Sequence, residues 1–433
     1  MAKRYRSALL PLLAALALVA AACSPSDSTD TTEAAAPDTT EAAAPDTTEA
    51  AAPDTTEAEN MEPIKIGMLT DLTSTFTPWG VNVRDGMLLA AEEINAAGGV
   101  DGRMIEIVQQ DSENDPDVAA TAWDRLIEDG VVAVGGILSS GVAPTAAQLA
   151  EADEVPVFFV KAGTPVSLTP DTRYAFRTCL PAAPMDAAPV LQYAQEQGLD
   201  TVGVIVADYA WGQGFAAAVE ATFEGSGIDY GEIQVAPVPP DTDFTPFVRA
   251  MADAGAQMVI ATGHPPGGAA IVGLSADLIG DVPVTGAWTP PDRSLALIDP
   301  ETAIGRFTDF SCADYTGDSY ADLAARYLAF SDNAFMSDDA VAGHGIVTMV
   351  AEAVAAVGDD PVAIAEYMHA NSFDLEGYAH TLSWTEWGEL AEAQPIFFGI
   401  TAGPAPEGLN EAGDWWITVL SQSDPLEPYV PGS

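Results

Sequence analysis

From Ile64 onward, short apolar runs alternate with stretches in which apolar residues recur every three or four positions. Residues 64–69 read as a buried strand. Val83, Met87, Ala91 and Ile94 then mark one face of a helix that stops at Gly98-Gly99. A strand at 104–108 follows, and a helix opens at Asp115-Pro116 and closes near Gly130. The alternation continues through 131–134, 143–152 and 155–160. A second series places strands at 201–206, 232–235, 258–261 and 282–285, with helices at 214–223, 244–254 and 268–278. Continuous apolar strands between helices predict parallel sheets covered on both faces, and two such series predict two similar α/β lobes. The rest is mostly helical, at 320–330, 338–357 and 362–370, before a short strand-rich tail.

The first sixty residues break this pattern. Lys3, Arg4 and Arg6 precede an apolar run over 8–22 and then Cys23. That run fits a secretory signal peptide (1–22) and falls short of the ~20 residues a membrane span needs. In 23–60 the octad Asp-Thr-Thr-Glu-Ala-Ala-Ala-Pro starts at Asp30 and restarts at Asp38 and Asp46, with no Lys or Arg between Arg6 and Lys65. Regular prolines stop helices and the carboxylates repel one another, which predicts a disordered, extended stalk. No later stretch reads as a membrane span, so the expected protein is anchored rather than integral.

Composition removes several functions. The 433 residues fit two or three domains, and 14 Lys and Arg against 65 Asp and Glu give a net charge of −51. Such a surface repels phosphate backbones and anionic lipid headgroups, which excludes nucleic-acid binding. Catalytic patterns fail too. Gly212-Gln213-Gly214 with Ala217 mimics a dinucleotide fingerprint, but it stands too far from its strand and no acidic residue closes a second strand. Ser139 lacks the spacing of a nucleophile elbow. His264, His344, His369 and His380 are scattered. Asp111, Glu113, Asp115 and Asp117 alternate like a calcium loop but lack its glycine and final glutamate, and read instead as a helix entry capped by Asp115. No catalytic residue, metal or cofactor is expected.

Longer motifs carry a resemblance. Ile64-Lys65-Ile66-Gly67, Trp79-Gly80 and Glu93-Ile94-Asn95-Ala96-Ala97-Gly98-Gly99-Val100-Asp101-Gly102-Arg103 resemble the opening of the leucine/isoleucine/valine-binding proteins. These are type I periplasmic solute-binding proteins of ABC importers. Gly135-Gly136-Ile137-Leu138-Ser139-Ser140, Phe176-Arg177-Thr178, Trp211-Gly212-Gln213-Gly214 and Asp243-Phe244-Thr245-Pro246 follow in the family's order, to about Gly399. The resemblance implies two Rossmann-like lobes with parallel sheets, 61–178 plus 314–381 and 182–309 plus 385–433. Three hinge crossings join them, at 179–181, 310–313 and 382–384. It also implies a monomer that traps a small ligand between the lobes and delivers it to ABC permease subunits. The alternative is a sensory ligand-binding component with the same fold. Ala20-Ala21-Ala22 before Cys23 resembles a lipobox, which implies an acylated Cys23 and an extracytoplasmic lipoprotein on the outer face of the cell membrane. Ordinary cleavage after Ala22 is the other reading.

The resemblance also nominates a site. Trp79 and Trp211 match aromatics that lie over the ligand, and Trp288 stands where the family has an acidic partner for the ligand's ammonium. Three indoles favour a flat, apolar or cationic group through stacking and cation–π contact. The implied ligand is a hydrophobic or aromatic amino acid, or a relative lacking the α-ammonium. Ser139 and Thr164 are implied donors to a ligand carboxylate, with Ser140 beside them, and Ala162 offers its carbonyl to an ammonium. His264 is a further candidate. Lys161, where proline is usual, reads chiefly as a surface salt-bridge partner that supplements the carboxylate site if close enough. Cys179 and Cys312 fall at crossings that run side by side in this fold, which implies a disulfide; the other reading is two separate buried thiols.

Overall fold

The computed structural model describes residues 61–238, 242–262, 267–286 and 288–432. The signal peptide, Cys23, the octad repeats and His264 lie outside the described residues. The first series comprises β1 (Ile64–Thr70), α1 (Thr77–Ala96), β2 (Ile105–Asp111), α2 (Pro116–Asp129), β3 (Ala133–Ile137), α3 (Ala143–Asp153), β4 (Val157–Phe159) and β5 (Ala175–Arg177). Its strands form one parallel sheet in the order β2-β1-β3-β4-β5. Every residue of β3, β4 and β5 is buried, as expected of strands with layers on both faces. Asp115 caps α2, its Oδ1 accepting from Asp117 N and Val118 N.

The second series runs through α4 (Ala183–Glu196), β6 (Gly203–Ala207), α5 (Ala210–Phe223), β7 (Gln234–Ala236), α6 (Thr245–Ala254), β8 (Val259–Ala261), α7 (Gly267–Leu278) and β9 (Val284–Thr285). Its parallel order is β7-β6-β8-β9. Two short helices, α8 (Pro291–Leu295) and α9 (Pro300–Ala303), lead to β10 (Thr308–Ser311). Then come α10 (Asp318–Phe330), α11 (Asp338–Val357), α12 (Pro361–Ala370), β11 (Ile396–Ala402) and β12 (Trp415–Gln422). A parallel bridge between Val284 and Phe307 carries the second sheet toward β10, which pairs antiparallel with β11, and β11 with β12.

The α/β alternation is therefore as read, with differences that have physical causes. β3 runs through Gly135-Gly136, glycines that a sequence pattern takes for a turn. α4 was not legible at all, because Pro189 stands inside it and proline normally breaks a helix interior, while Pro184 sits in the first turn, where proline is tolerated. Around the expected crossing at 382–384 the chain still contacts the first sheet. Trp384 bridges to Leu390, Trp384 Nε1 donates to Arg177 O at 2.6 Å, and Arg177 N donates to Gly388 O at 3.0 Å. Residues 384–390 thus lie against β5, the edge strand of the first sheet. The expectation that no later segment is apolar enough for a membrane span is corrected. Asp338–Val357 is long and apolar enough, but it is a core helix, its apolar window 72% buried, packed along α1.

Cys179, just beyond β5, and Cys312, just beyond β10, are joined by a disulfide with Cα atoms 5.2 Å apart. The bridge spans a sequence separation of 133 residues. Closing so long a loop restricts the unfolded chain strongly. The double variant Cys179→Ala with Cys312→Ala is expected to lose about 2–4 kcal/mol of stability. Chemical denaturation measures this, and an unchanged midpoint would show that the bridge adds nothing.

Candidate functional site

Both sheets use the same device at the carboxyl end of a central strand. After β1, Leu72 N and Thr73 Oγ1 donate to the carboxylate of Asp111 at 2.9 and 2.6 Å, which holds the loop entering α1. Trp79 lies in the first turn of α1, and a β-carbon on the following Gly80 would stand 1.8 Å from Asp71 O. Only glycine lets the helix begin pressed against the strand end. In the second sheet a β-carbon on Gly212 would stand 2.0 Å from Ala207 O, at the end of β6. Trp211 thereby takes in α5 the place that Trp79 takes in α1. An aromatic residue precedes each, Phe76 and Tyr209.

Trp288 reaches the same region from beyond β9. Its backbone is left-handed, with φ 46°, an unusual conformation for so large a side chain. Asp309 of β10 holds it there, accepting from Trp288 N at 2.9 Å, Thr289 N at 3.0 Å and Phe310 N at 2.9 Å. Burial pushes the Asp309 carboxyl up to about 6, and these N–H donors limit the rise.

The three tryptophans meet. With Phe76, Tyr209, Leu180 and Lys161 they enclose one pocket of about 20 Å³, the room of a single water molecule. Trp79 Nε1 donates to Trp288 O at 2.8 Å, a direct bond from the helix after β1 to the loop after β9. Trp211 Nε1 is buried and meets no acceptor.

Lys161 departs most from expectation. It is 7% exposed, not a surface residue. Its Nζ lies 2.7 Å from Asp338 Oδ2, 3.9 Å from Asp339 Oδ1 and 4.6 Å from the centroid of the Trp288 ring. Burial alone would favour the neutral amine, but the charges of Asp338, Asp339 and Asp309 outweigh it and raise the pKa above the ordinary lysine value. Asp338 opens α11, 177 positions away along the chain, so no local pattern announces the pair.

Ser139, Ser140, Ala162 and Thr164 are buried, but they do not wall this pocket. Ser139 Oγ donates to Asn114 Oδ1 and accepts from Gly141 N. Ser140 Oγ accepts from Thr164 N at 3.2 Å. These hydroxyls brace two loops against each other, with Gly163 between Thr164 and the Trp211 ring. Arg177 supports the same loop. Its Nη2 donates to Thr164 O at 2.8 Å and Ser167 Oγ at 3.0 Å, while its Nε pairs with Glu389 Oε2 at 2.9 Å. Cys179, Cys312 and Asp338 also lie together, but the two sulfurs are bonded to each other and do not form a metal site.

A pocket at strand carboxyl ends, closed from both sides by repeated aromatic turns, is where α/β folds commonly take a small solute. Residues 63–394 match the periplasmic binding protein family, and the chain belongs to it. The Leu/Ile/Val-binding protein BraC3 of Rhizobium johnstonii is 28% identical over 352 residues, 76% of this chain and 94% of that one. A fatty acid ABC transporter substrate-binding protein from Thermomonospora curvata shares the fold with a TM-score of 0.70 at 20% identity, covering 85% of this chain and 93% of that one. An ABC transporter solute-binding protein of R. palustris, solved with benzoate, gives a TM-score of 0.70 at 18% identity, covering 85% and 98%. The fold is the type I periplasmic binding protein fold. The chain is an extracytoplasmic binding protein, not an enzyme.

Proposed function

We propose that this protein captures a small hydrophobic or aromatic solute, an amino acid or a relative of one, and delivers it to the permease of an ABC importer. One observation carries the reading: Trp79, Trp211 and Trp288 come from separate segments on both sheets and enclose a single pocket. Indoles in that arrangement suit a flat or branched apolar group. BraC3, named for leucine, isoleucine and valine, supports an apolar side chain. Cys23, acylated, anchors the receptor to the outer face of the membrane, and the acidic repeats give it reach. The lobes open and close about the crossings next to the disulfide, with solute favouring the closed form.

A thermal-shift screen of aliphatic and aromatic amino acids, with their deaminated acids and amides, tests the reading. A ligand at a hundred times its Kd stabilises by about 2.7 kcal/mol, a shift of several degrees. Solution scattering on the hit is expected to show compaction. No shift with any compound would overturn the proposal.

A further inference from the structure

The pocket wall is unusual in its polar groups, and this bears on the ligand's class. The Lys161 ammonium and the indole N–H groups only donate, and the Tyr209 hydroxyl can donate or accept. Lys161 Nζ carries three N–H groups, of which Asp338 Oδ2 engages one at 2.7 Å. Trp211 Nε1 is a buried donor with no acceptor at all, and an indole N–H cannot accept. Trp79 Nε1 is already committed to Trp288 O. No carboxylate stands among the described lining residues. Asp309, the acidic group nearest Trp288, accepts from three backbone N–H groups. Asp338 is paired with the lysine. A ligand ammonium entering this pocket would meet a cation and no carboxylate among the described lining residues, whereas a carboxylate would meet a cation and lie beside an indole whose N–H has no acceptor.

We infer that the site selects an apolar or aromatic carboxylate without an α-ammonium, with Lys161 and Trp211 Nε1 as the residues that set this choice. The inference rests on the solute-capture reading and narrows it. Lys161 holds the carboxylate, Trp211 donates a second hydrogen bond, and the Trp79 and Trp288 rings cover the apolar body. Asp338 behind the lysine keeps it charged and fixed in direction, so that the pocket presents a positive group without an isolated buried charge.

Matched compounds that differ in one group provide the test. Calorimetry compares 3-phenylpropanoate with L-phenylalanine and 3-phenylpropanamide, and 4-methylpentanoate with L-leucine. The acid of each set is expected to bind at least tenfold more tightly than its amino acid and its amide. Trp211→Phe keeps the ring and removes the N–H, and is expected to weaken acid binding about three- to tenfold. Lys161→Met combined with Asp338→Asn removes both charges together, and is expected to reduce acid binding tenfold or more and amide binding by a clearly smaller factor. Should the double variant fail to fold, the comparison on the natural protein and Trp211→Phe still decide. Amino acids binding as tightly as the acids would overturn the inference and leave solute capture standing. Binding of none of these compounds would overturn both.

Discussion

The protein is expected to be more stable at pH 5 than at pH 7.5, the reverse of ordinary acid sensitivity. Burial pushes the carboxyls of Asp71, Asp292 and Asp309 up to about 6. It pushes those of Asp186 and Asp339 well above the usual carboxylate range, and that of Glu389 upward. Each folded carboxyl then holds its proton where the unfolded one, near 4, has lost it. Stability from such groups falls as pH rises through the window between about 4 and 6, and beyond it for Asp186 and Asp339. Each of the three groups near 6 contributes on the order of 1–1.5 kcal/mol between pH 7.5 and 5. His380 opposes them. Burial lowers its pKa to about 4, so it destabilises as pH falls from about 6.5. Its share over the same interval is on the order of 2 kcal/mol. The carboxyls outnumber it, and protonation also relieves the repulsion within a chain of net charge −51. The expected net gain is about 2 kcal/mol or more, read as a rise in the urea midpoint. A midpoint that falls between pH 7.5 and pH 5 would show that the buried carboxyls are not the controlling groups.

Arg177→Met is expected to be the most damaging single substitution in the first sheet. Arg177 is fully buried at the end of β5, and Glu389 beside it is 1% exposed. Removing the guanidinium leaves Glu389 as an uncompensated buried acid and takes donors from Thr164 O and Ser167 Oγ at one stroke. Breaking a buried pair from one side costs about 3–5 kcal/mol. Glu389→Gln keeps an acceptor for the arginine, but it leaves Arg177 charged without its counter-ion, and is expected to lose less. Equilibrium denaturation of both variants at pH 7.5 checks the order. Equal, small losses would mean that the hairpin 384–390 does not depend on the pair.

What was legible in the sequence follows from how local each signal is. Strand and helix succession survives because periodicity is a property of neighbouring residues, and it failed where proline speaks against a helix that forms anyway, as at Pro189 inside α4. The tryptophans were legible through the resemblance, which matched Trp79 and Trp211 to the family's aromatic positions and Trp288 to its acidic one; in the structure Trp79-Gly80 and Trp211-Gly212 each start a helix against a strand end. That repetition, with Phe76 and Tyr209 before it, was itself a signal that the two lobes build their halves of the pocket alike. Lys161 was not legible in the same way. Its burial is set by Asp338 and by the Trp288 ring, neither within a hundred residues of it, and a lone lysine in an acidic chain points to the surface on composition alone. The serines were read from their loop position, but their hydroxyl partners, Asn114 and the Thr164 N–H, come from other loops.

The Trp79 to Trp288 hydrogen bond has a consequence for sensitivity. In this conformation the pocket's own side chains fill it, so an arriving solute competes with an internal occupant before it meets the walls. The observed dissociation constant then equals the intrinsic one divided by the fraction of molecules in which that contact is broken. Strengthening the contact would raise the solute concentration at which such a receptor responds, and weakening it would lower that concentration. Its threshold is then written in the indole–carbonyl contact, not in the groups that grip the ligand.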